Sequence, residues 1–378
     1  MSADLVVFGE DWGAHPSSTQ HLVARLARRR RVLWVNSIGL RRPRLAMGDM
    51  RRLAGKLGAV AGRGSRSTAG TAPALTAPDG PVRILSPLAV PWPGSVLAER
   101  ANRMLLGRQV RRAMEAAGIT RPILWTSLPS AISVVGALDE RAVVYYCGDD
   151  FGALSGVDHA PVLEMEQRLA AKADLIVAAS SVLAARFPAE KVLLLPHGVD
   201  CRLFSTPAPA PGDLPEGRVA GFYGSISDWL DLGMIARAAR TLADWRFVFV
   251  GPVRTDVCEL EALPNVLFLG PRAHGELPGY VQHWDVALIP FRDTPQIRAC
   301  NPLKLREYLA SGTPIAATTF PALLPYEHLV SAIPPGGDLA TAILAAVGNG
   351  GAARRRAAVA AEDWDARAAT LDAALDRL

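Results

Sequence analysis

The chain has 378 residues, 50% of them hydrophobic and 20% charged, with a net charge of +5. That length exceeds what one hydrophobic core usually organises, so two domains are expected, and the composition excludes a disordered chain. Cysteines at 147, 201, 258 and 300, with no C-x-x-C, suggest neither a zinc site nor a disulfide framework.

From the N-terminus, MSADLVVFGEDW lacks the basic region and the apolar length of a signal peptide. No uncharged apolar stretch of about 18 residues offers a membrane span, and the scattered cysteines make a reducing cytoplasm the expected compartment. Short apolar runs then recur at 5–8, 31–35, 82–85, 123–125, 142–146, 175–179 and 192–195, with helical patterns between them at 17–29 and 97–117. Ser17 followed by Gln20 reads as a capping box opening the first of those helices. Strands alternating with helices predict a parallel, doubly wound α/β sheet.

Pro and Gly crowd STPAPAPGDLPEG at 205–217, which reads as a linker. A second series of strands follows at 219–223, 246–250, 265–269, 285–290 and 314–318, and a helical tail runs from 353 to 376. Two Rossmann-like halves are the expected architecture.

Charge divides unevenly between them. Residues 1–205 hold 26 Lys and Arg against 17 Asp and Glu, or +9, leaving 15 against 19, or −4, for the remainder. Between Arg25 and Arg66, thirteen basic residues face one acid, Asp49. Such a block attracts phosphates, nucleic acid or an anionic leaflet, and it also suits a solvated Arg-rich loop. Within it, Met47, Met50, Leu53 and Leu57 share a helical face beside Arg51, Arg52 and Lys56. That face fits either a membrane surface or the domain's own core. Residues 58–81 read as a loop.

Neither G-x-G-x-x-G after a strand nor a P-loop motif is present, so hydride transfer and P-loop chemistry are poorly supported. Two strand-to-helix junctions of the second half are more informative. In FYGSISDW, Gly224 and Ser225 follow a strand, where a tight turn and helix amides would suit a phosphate. In NPLKLREYLASGTP, Asn301 is an expected N-cap and Pro302 the first helical residue. Lys304 then lies in the first turn, where the helix dipole does not favour a cation unless an anion is also bound. Glu307 can accept hydrogen bonds from a pair of sugar hydroxyls. A plain Lys304–Glu307 ion pair at i,i+3 explains the same residues without a ligand.

LPHGVD (195–200), FYGSISDW (222–229), NVLFLGPR (265–272), DVALIPF (285–291) and NPLKLREYLASGTPIAAT (301–318), in that chain order, resemble the retaining GT-B glycosyltransferases. The N-terminal HPSSTQHLVARLARRRRVLWVNSIGLRRP and VVYYCGDDF resemble bacterial members of that group. The resemblance implies two Rossmann-like domains facing a cleft. Residues 1–204 would form the acceptor domain, with 44–81 as a flexible or membrane- or acceptor-facing insertion. Residues 205–217 would be the linker and 218–352 the nucleotide-sugar domain, with 353–378 packing back on the first domain. It further implies a UDP-, GDP- or TDP-linked donor whose diphosphate meets Gly224 and Ser225. Arg272 would lie near the nucleobase, Asn301, Pro302 and Lys304 at the phosphates, and Glu307 at the ribose. No metal or other cofactor is expected, because fixed positive charge and amides can carry the diphosphate.

The family's E-x7-E pattern is broken here, since Ala299 stands where its first glutamate would be. Asp363-Trp364-Asp365 matches the metal motif of the other glycosyltransferase fold, but it sits in the helical tail and is read as coincidence. His197 is read as a turn residue. Asp11 and His15 after the first strand, with Asp149 and Asp150 after the fifth, are candidates to orient an acceptor hydroxyl, and each is also an ordinary loop or cap residue.

The expected activity is sugar transfer to a small-molecule or lipid-linked acceptor, in the cytoplasm or peripherally at the inner face of the membrane, in cell-envelope glycan or natural-product glycoside synthesis. An anionic membrane surface is a candidate partner and nucleic acid is not expected. The rival readings are a nucleotide-sugar epimerase or hydrolase on the same fold, and a non-catalytic sugar-nucleotide-binding protein.

Overall fold

The apolar runs of the first half become parallel strands, and most are buried along their whole length because helices cover both faces of the sheet. The computed structural model describes residues 2–13, 17–37, 82–90, 92, 94–154, 159–334 and 336–378. The insertion expected at 44–81, with its basic amphipathic face, lies outside the described residues.

Strands β1 Leu5–Phe8, β2 Val32–Val35, β3 Val82–Leu85, β4 Ile123–Thr126, β5 Ala142–Cys147, β6 Leu175–Ala178 and β7 Val192–Leu194 form one seven-stranded sheet, in the order β3-β2-β1-β4-β5-β6-β7. A second, six-stranded sheet has the order β10-β9-β8-β11-β12-β13. It is built from β8 Arg218–Tyr223, β9 Trp245–Val250, β10 Val266–Gly270, β11 Val286–Ile289, β12 Ile315–Thr318 and β13 Ser331–Ile333. All the pairings are parallel. Both orders reverse once, between β1 and β4 and between β8 and β11. In an open α/β sheet, ligands bind outside the carboxyl ends of the strands at such a reversal.

The chain divides into two compact units, Met1–Pro196 with Ala368–Leu378, and His197–Arg367. The division therefore falls before residue 204. Val199 pairs with Asp363, the Cys201 thiol donates to the Val359 carbonyl, and Phe204 is fully buried in the second core, which draws 197–205 into that unit. The tail is likewise shared. The helix Ala352–Val359 belongs to the second unit and residues 368–378 to the first.

Residues 205–217 are not a loose linker. The Gln282 amide donates to the carbonyls of Phe204 and Thr206, and the Ala208 amide donates back to Gln282. Asp213 accepts from Arg272 and Tyr280. Prolines keep this segment extended and spare it unsatisfied amides, so it lies as a strap along its own unit. Ser17 does cap the first helix by accepting from the Gln20 amide, but the Gln20 side chain reaches Glu10 instead of closing a capping box.

Candidate functional site

Where the second sheet reverses, two glycines make the backbone turns. Gly224 follows β8 with φ +126 and Gly251 follows β9 with φ +148, conformations that an L side chain rarely adopts. A Cβ on Gly251 would stand 2.0 Å from the Gly224 carbonyl oxygen, so the two turns lie against each other. The Gly224 amide donates to Val250 at 2.9 Å, which leaves it unable to serve a ligand. The next residue, Ser225, makes no hydrogen bond among the described residues. No helix begins there, contrary to expectation. Residues after Ser225 run alongside 252–254, and the helix Leu232–Thr241 opens only where Asp231 caps it.

Across Gly224 lies Lys304. A Cβ on Gly224 would meet the Lys304 Cε at 3.2 Å and its Nζ at 3.4 Å. The ammonium sits 5.2 Å from the Phe222 ring centre and 5.4 Å from that of Phe291, a cation–π sandwich. It makes no ion pair or hydrogen bond among the described residues. Burial pulls it below the ordinary lysine range, with Glu307 and Cys300 resisting. The i,i+3 ion pair with Glu307, the alternative explanation of these residues, is not formed.

Glu307 is held by other partners. It is 7% exposed. Its Oε2 accepts from the Tyr223 hydroxyl, and its Oε1 lies 2.8 Å from His274 Nε2. Burial alone would raise this carboxyl; the hydrogen bond and charge of His274, then Tyr223 and Lys304, outweigh it and hold it below the usual range. His274 is shifted oppositely, burial lowering it but Glu307 and Asp200 raising it above the usual histidine value. Each shift favours the charged form, imidazolium for His274 and carboxylate for Glu307.

Lys304 and Glu307 sit on the helix Leu303–Ser311, whose residues from Leu305 onward are all buried. Its N-cap is Pro302, one residue later than expected, and no side chain caps it. Asn301 is instead drawn into a buried network, its Oδ1 accepting from Arg306 at 2.5 Å while Arg306 also pairs with Glu362 at 2.6 Å. Arg272 too is already engaged, donating to Tyr280 at 2.9 Å and to Asp213 at 2.5 Å on the strap. Its role here is to fasten 205–217. Ala299 is 2% exposed, so the site of the missing glutamate belongs to the core.

In the first unit, Asp11 accepts from the Ser37 amide at 3.1 Å and so ties the loops after β1 and β2. Asp150 accepts from the Gly152 amide and pairs with Arg186, which also binds the buried Glu166. Asp149 is exposed, and its side chain makes no ion pair or hydrogen bond among the described residues. His15 lies outside the described residues. Asp363 caps the final helix by accepting from the Ala366 amide, and Trp364 is buried beneath Gly198, so this D-x-D is a helix start. His197 is pushed down to about 3 by burial and by Arg306 and Arg367, and is neutral at physiological pH.

Gly224, Ser225, Lys304 and Glu307 are therefore brought together, while Asn301 and Arg272 serve the scaffold. Two contributors were not foreseen, Tyr223 and His274. Tyr223 ends a strand whose buried positions call for apolar side chains, and a terminal tyrosine there was the only signal. His274 reaches Glu307 across 33 positions of sequence, which no local pattern encodes.

Removing His274 tests the pair. A histidine raised by folding stabilises the protein below its unfolded value near 6.5, and the gain is lost as pH rises through the folded value. His274→Ala is expected to cost about 1.5–3 kcal/mol more at pH 6 than at pH 9, the loss of packing against Phe204 being common to both. Thermal unfolding at the two pH values measures this; equal losses would mean the pair is not ionised.

Two Rossmann-like units, the second with a lysine and a glutamate on the helix at its strand reversal, are the GT-B architecture. Residues 217–349 match the family model described as glycosyl transferases group 1. A curated relative, the putative teichuronic acid biosynthesis glycosyltransferase TuaH of Bacillus subtilis (strain 168), is 34% identical over 224 residues. That match takes in 53% of this chain and spans a little over half, 56%, of the relative's length. Among solved structures, Anabaena Alr3699/HepE in complex with UDP and glucose superposes with TM-score 0.68 at 15% identity, covering 100% of both chains. Sucrose-phosphate synthase from Thermosynechococcus elongatus gives 0.69 at 17%, covering 99% of this chain and 98% of that one. An E. coli structure titled trehalose-6-phosphate, bound with UDP-2-fluoro glucose, gives 0.65 at 11%, covering 100% and 99%. At these identities the structural likeness speaks for the fold.

Proposed function

We propose that the chain is a glycosyltransferase that takes a sugar from a nucleotide-diphosphate sugar, in the first instance a UDP-sugar, and transfers it to an acceptor hydroxyl. The observation that carries this reading is Lys304, a partly buried ammonium without a hydrogen-bonding partner among the described residues, lying over the Gly224 turn. Keeping such a cation is costly unless an anion completes it. The Lys304 ammonium and the Ser225 amide and hydroxyl would meet the diphosphate, and Lys304 would stabilise charge as the sugar–phosphate bond breaks. This arrangement asks for no metal.

Glu307 would receive the ribose. Each carboxylate oxygen has one protein partner and retains acceptor capacity for a sugar hydroxyl. The UDP and UDP-sugar bound in similarly folded structures support the choice of donor. The similarity to a teichuronic acid biosynthesis glycosyltransferase favours a cell-envelope glycan, soluble or lipid-linked, as acceptor over a natural-product glycoside. Asp149 is the acceptor-orienting candidate, being exposed and without a side-chain partner among the described residues. A nucleotide-sugar substrate argues for the cytoplasm, and retention of configuration rests on the resemblance to the retaining GT-B glycosyltransferases.

The test is a titration of UDP-, GDP- and TDP-sugars followed by thermal unfolding and donor turnover, with and without envelope glycan acceptors. One donor is expected to stabilise the protein and to be consumed only with acceptor, the anomeric configuration of the product being read by NMR. Binding by none would overturn the proposal, and consumption without acceptor would assign a hydrolase or epimerase.

A further inference from the structure

The first unit carries an apolar surface that is exposed among the described residues. Trp92 is 51% exposed, and on the helix Val96–Ala117 that follows, Val96 is 65% exposed, Leu97 76% and Met104 60%. At 3.6 residues per turn, Val96, Leu97 and Met104 fall with Arg100 and Arg108 within an arc of about 120°. Arg100 and Arg108 are exposed and make no ion pair or hydrogen bond among the described residues. The acid of this half-helix, Glu99, is taken by Arg168 of another helix. What remains is a set of large apolar side chains interleaved with uncompensated positive charge.

We infer that this face docks on an anionic phospholipid surface, with Trp92, Val96, Leu97 and Met104 entering the headgroup–acyl boundary and Arg100 and Arg108 meeting lipid phosphates. Apolar insertion and basic attraction act together at such an interface, and indole favours that depth. A second copy of the chain is a poorer occupant. A two-fold contact sets the same patch against itself and so faces arginine with arginine. Nucleic acid would satisfy the arginines but leave Leu97 and Met104 unrewarded. The inference does not rest on the proposed sugar transfer, and it lies apart from the 25–66 block singled out by charge.

Co-sedimentation of the full chain with vesicles of phosphatidylcholine, or of phosphatidylcholine with phosphatidylglycerol, tests it. Wild-type protein is expected to pellet with the mixed vesicles only. Leu97→Glu/Met104→Glu and Arg100→Glu/Arg108→Glu are each expected to lower the partition coefficient at least about tenfold, since each charge near such a surface is worth roughly a factor of five. Unfolding temperature and donor binding should be unchanged, because all four side chains project into solvent. As a second measurement that needs no charge reversal, brominated lipid should quench wild-type fluorescence more than that of Trp92→Phe. Wild-type protein that fails to pellet, or variants that pellet like it, would overturn the inference. So would light scattering in which Leu97→Glu/Met104→Glu turns a dimer into a monomer, since the face would then serve a second copy.

Discussion

Lys304→Ala is expected to lower kcat/KM for donor turnover by about 10²–10³-fold, or about 2.7–4 kcal/mol, the scale seen when one preorganised charge-stabilising donor is removed. The same change should leave the unfolding temperature of the ligand-free protein unchanged or slightly raised. Burial holds this ammonium below the ordinary lysine range, so its charge opposes folding at neutral pH, and the cost fades as pH rises towards the unfolded value. Lys304→Met, which keeps the stem between Phe222 and Phe291, should behave the same way in both assays. The two readouts move apart only if Lys304 is there for a ligand. A lysine held for packing or for an ion pair would lower stability when removed and leave donor affinity alone, and that outcome would sink the assignment.

Arg30→Ala is expected to destabilise the first unit by about 3–5 kcal/mol, the cost of removing one partner from a buried ion pair. The Arg30 side chain is 0% exposed and the Asp372 carboxylate 10%. Its Nε donates to Asp372 at 2.7 Å, one Nη to the Ala3 carbonyl at 2.9 Å, and the other to the Asp372 carbonyl at 3.3 Å and to the Asp376 carboxylate. One guanidinium thus fastens the chain's first residues to its last helix within the same unit. Urea unfolding followed by circular dichroism would register the loss as an earlier transition. Arg29 also pairs with Asp372 and limits the effect, so Asp372→Ala beside Arg30→Ala separates the charge left behind from the bonds lost. A loss below about 1 kcal/mol would mean that water or Arg29 satisfies Asp372, as at an exposed pair.

The chain's own pattern was enough for most of the strands and for singling out residues that the fold brings together beside Gly224. LVVF became β1 residue for residue, because a strand buried by helices on both faces needs an unbroken apolar run and little else, while VRIL became β3 at the sheet's edge with Arg83 and Ile84 exposed. The short edge strand Ser331–Ile333 escaped notice, since three residues carry no period. Lys304 could be marked as a candidate for an anion because a cation in a helix's first turn opposes the dipole, which is a local conflict. Glu307 could be marked by its place one turn further on.

Contacts distant in sequence settled the rest. Asn301 looked like a cap until Arg306 claimed its oxygen, and a side-chain acceptor cannot serve a helix amide once its geometry is set by a buried guanidinium. Arg272 was marked as a donor contact from local pattern alone, and its pairing with Asp213 and Tyr280 appears only in the folded chain. Residues 205–217 looked like a linker because proline and glycine state only that no helix forms; Gln282 decided where the segment lies. His274 became part of the site by approaching Glu307 across the fold. Local sequence determines backbone preference and burial pattern through short-range sterics and apolar period. Which polar group is satisfied by the protein, and which is left for a ligand, depends on pairings that exist only once the chain has folded.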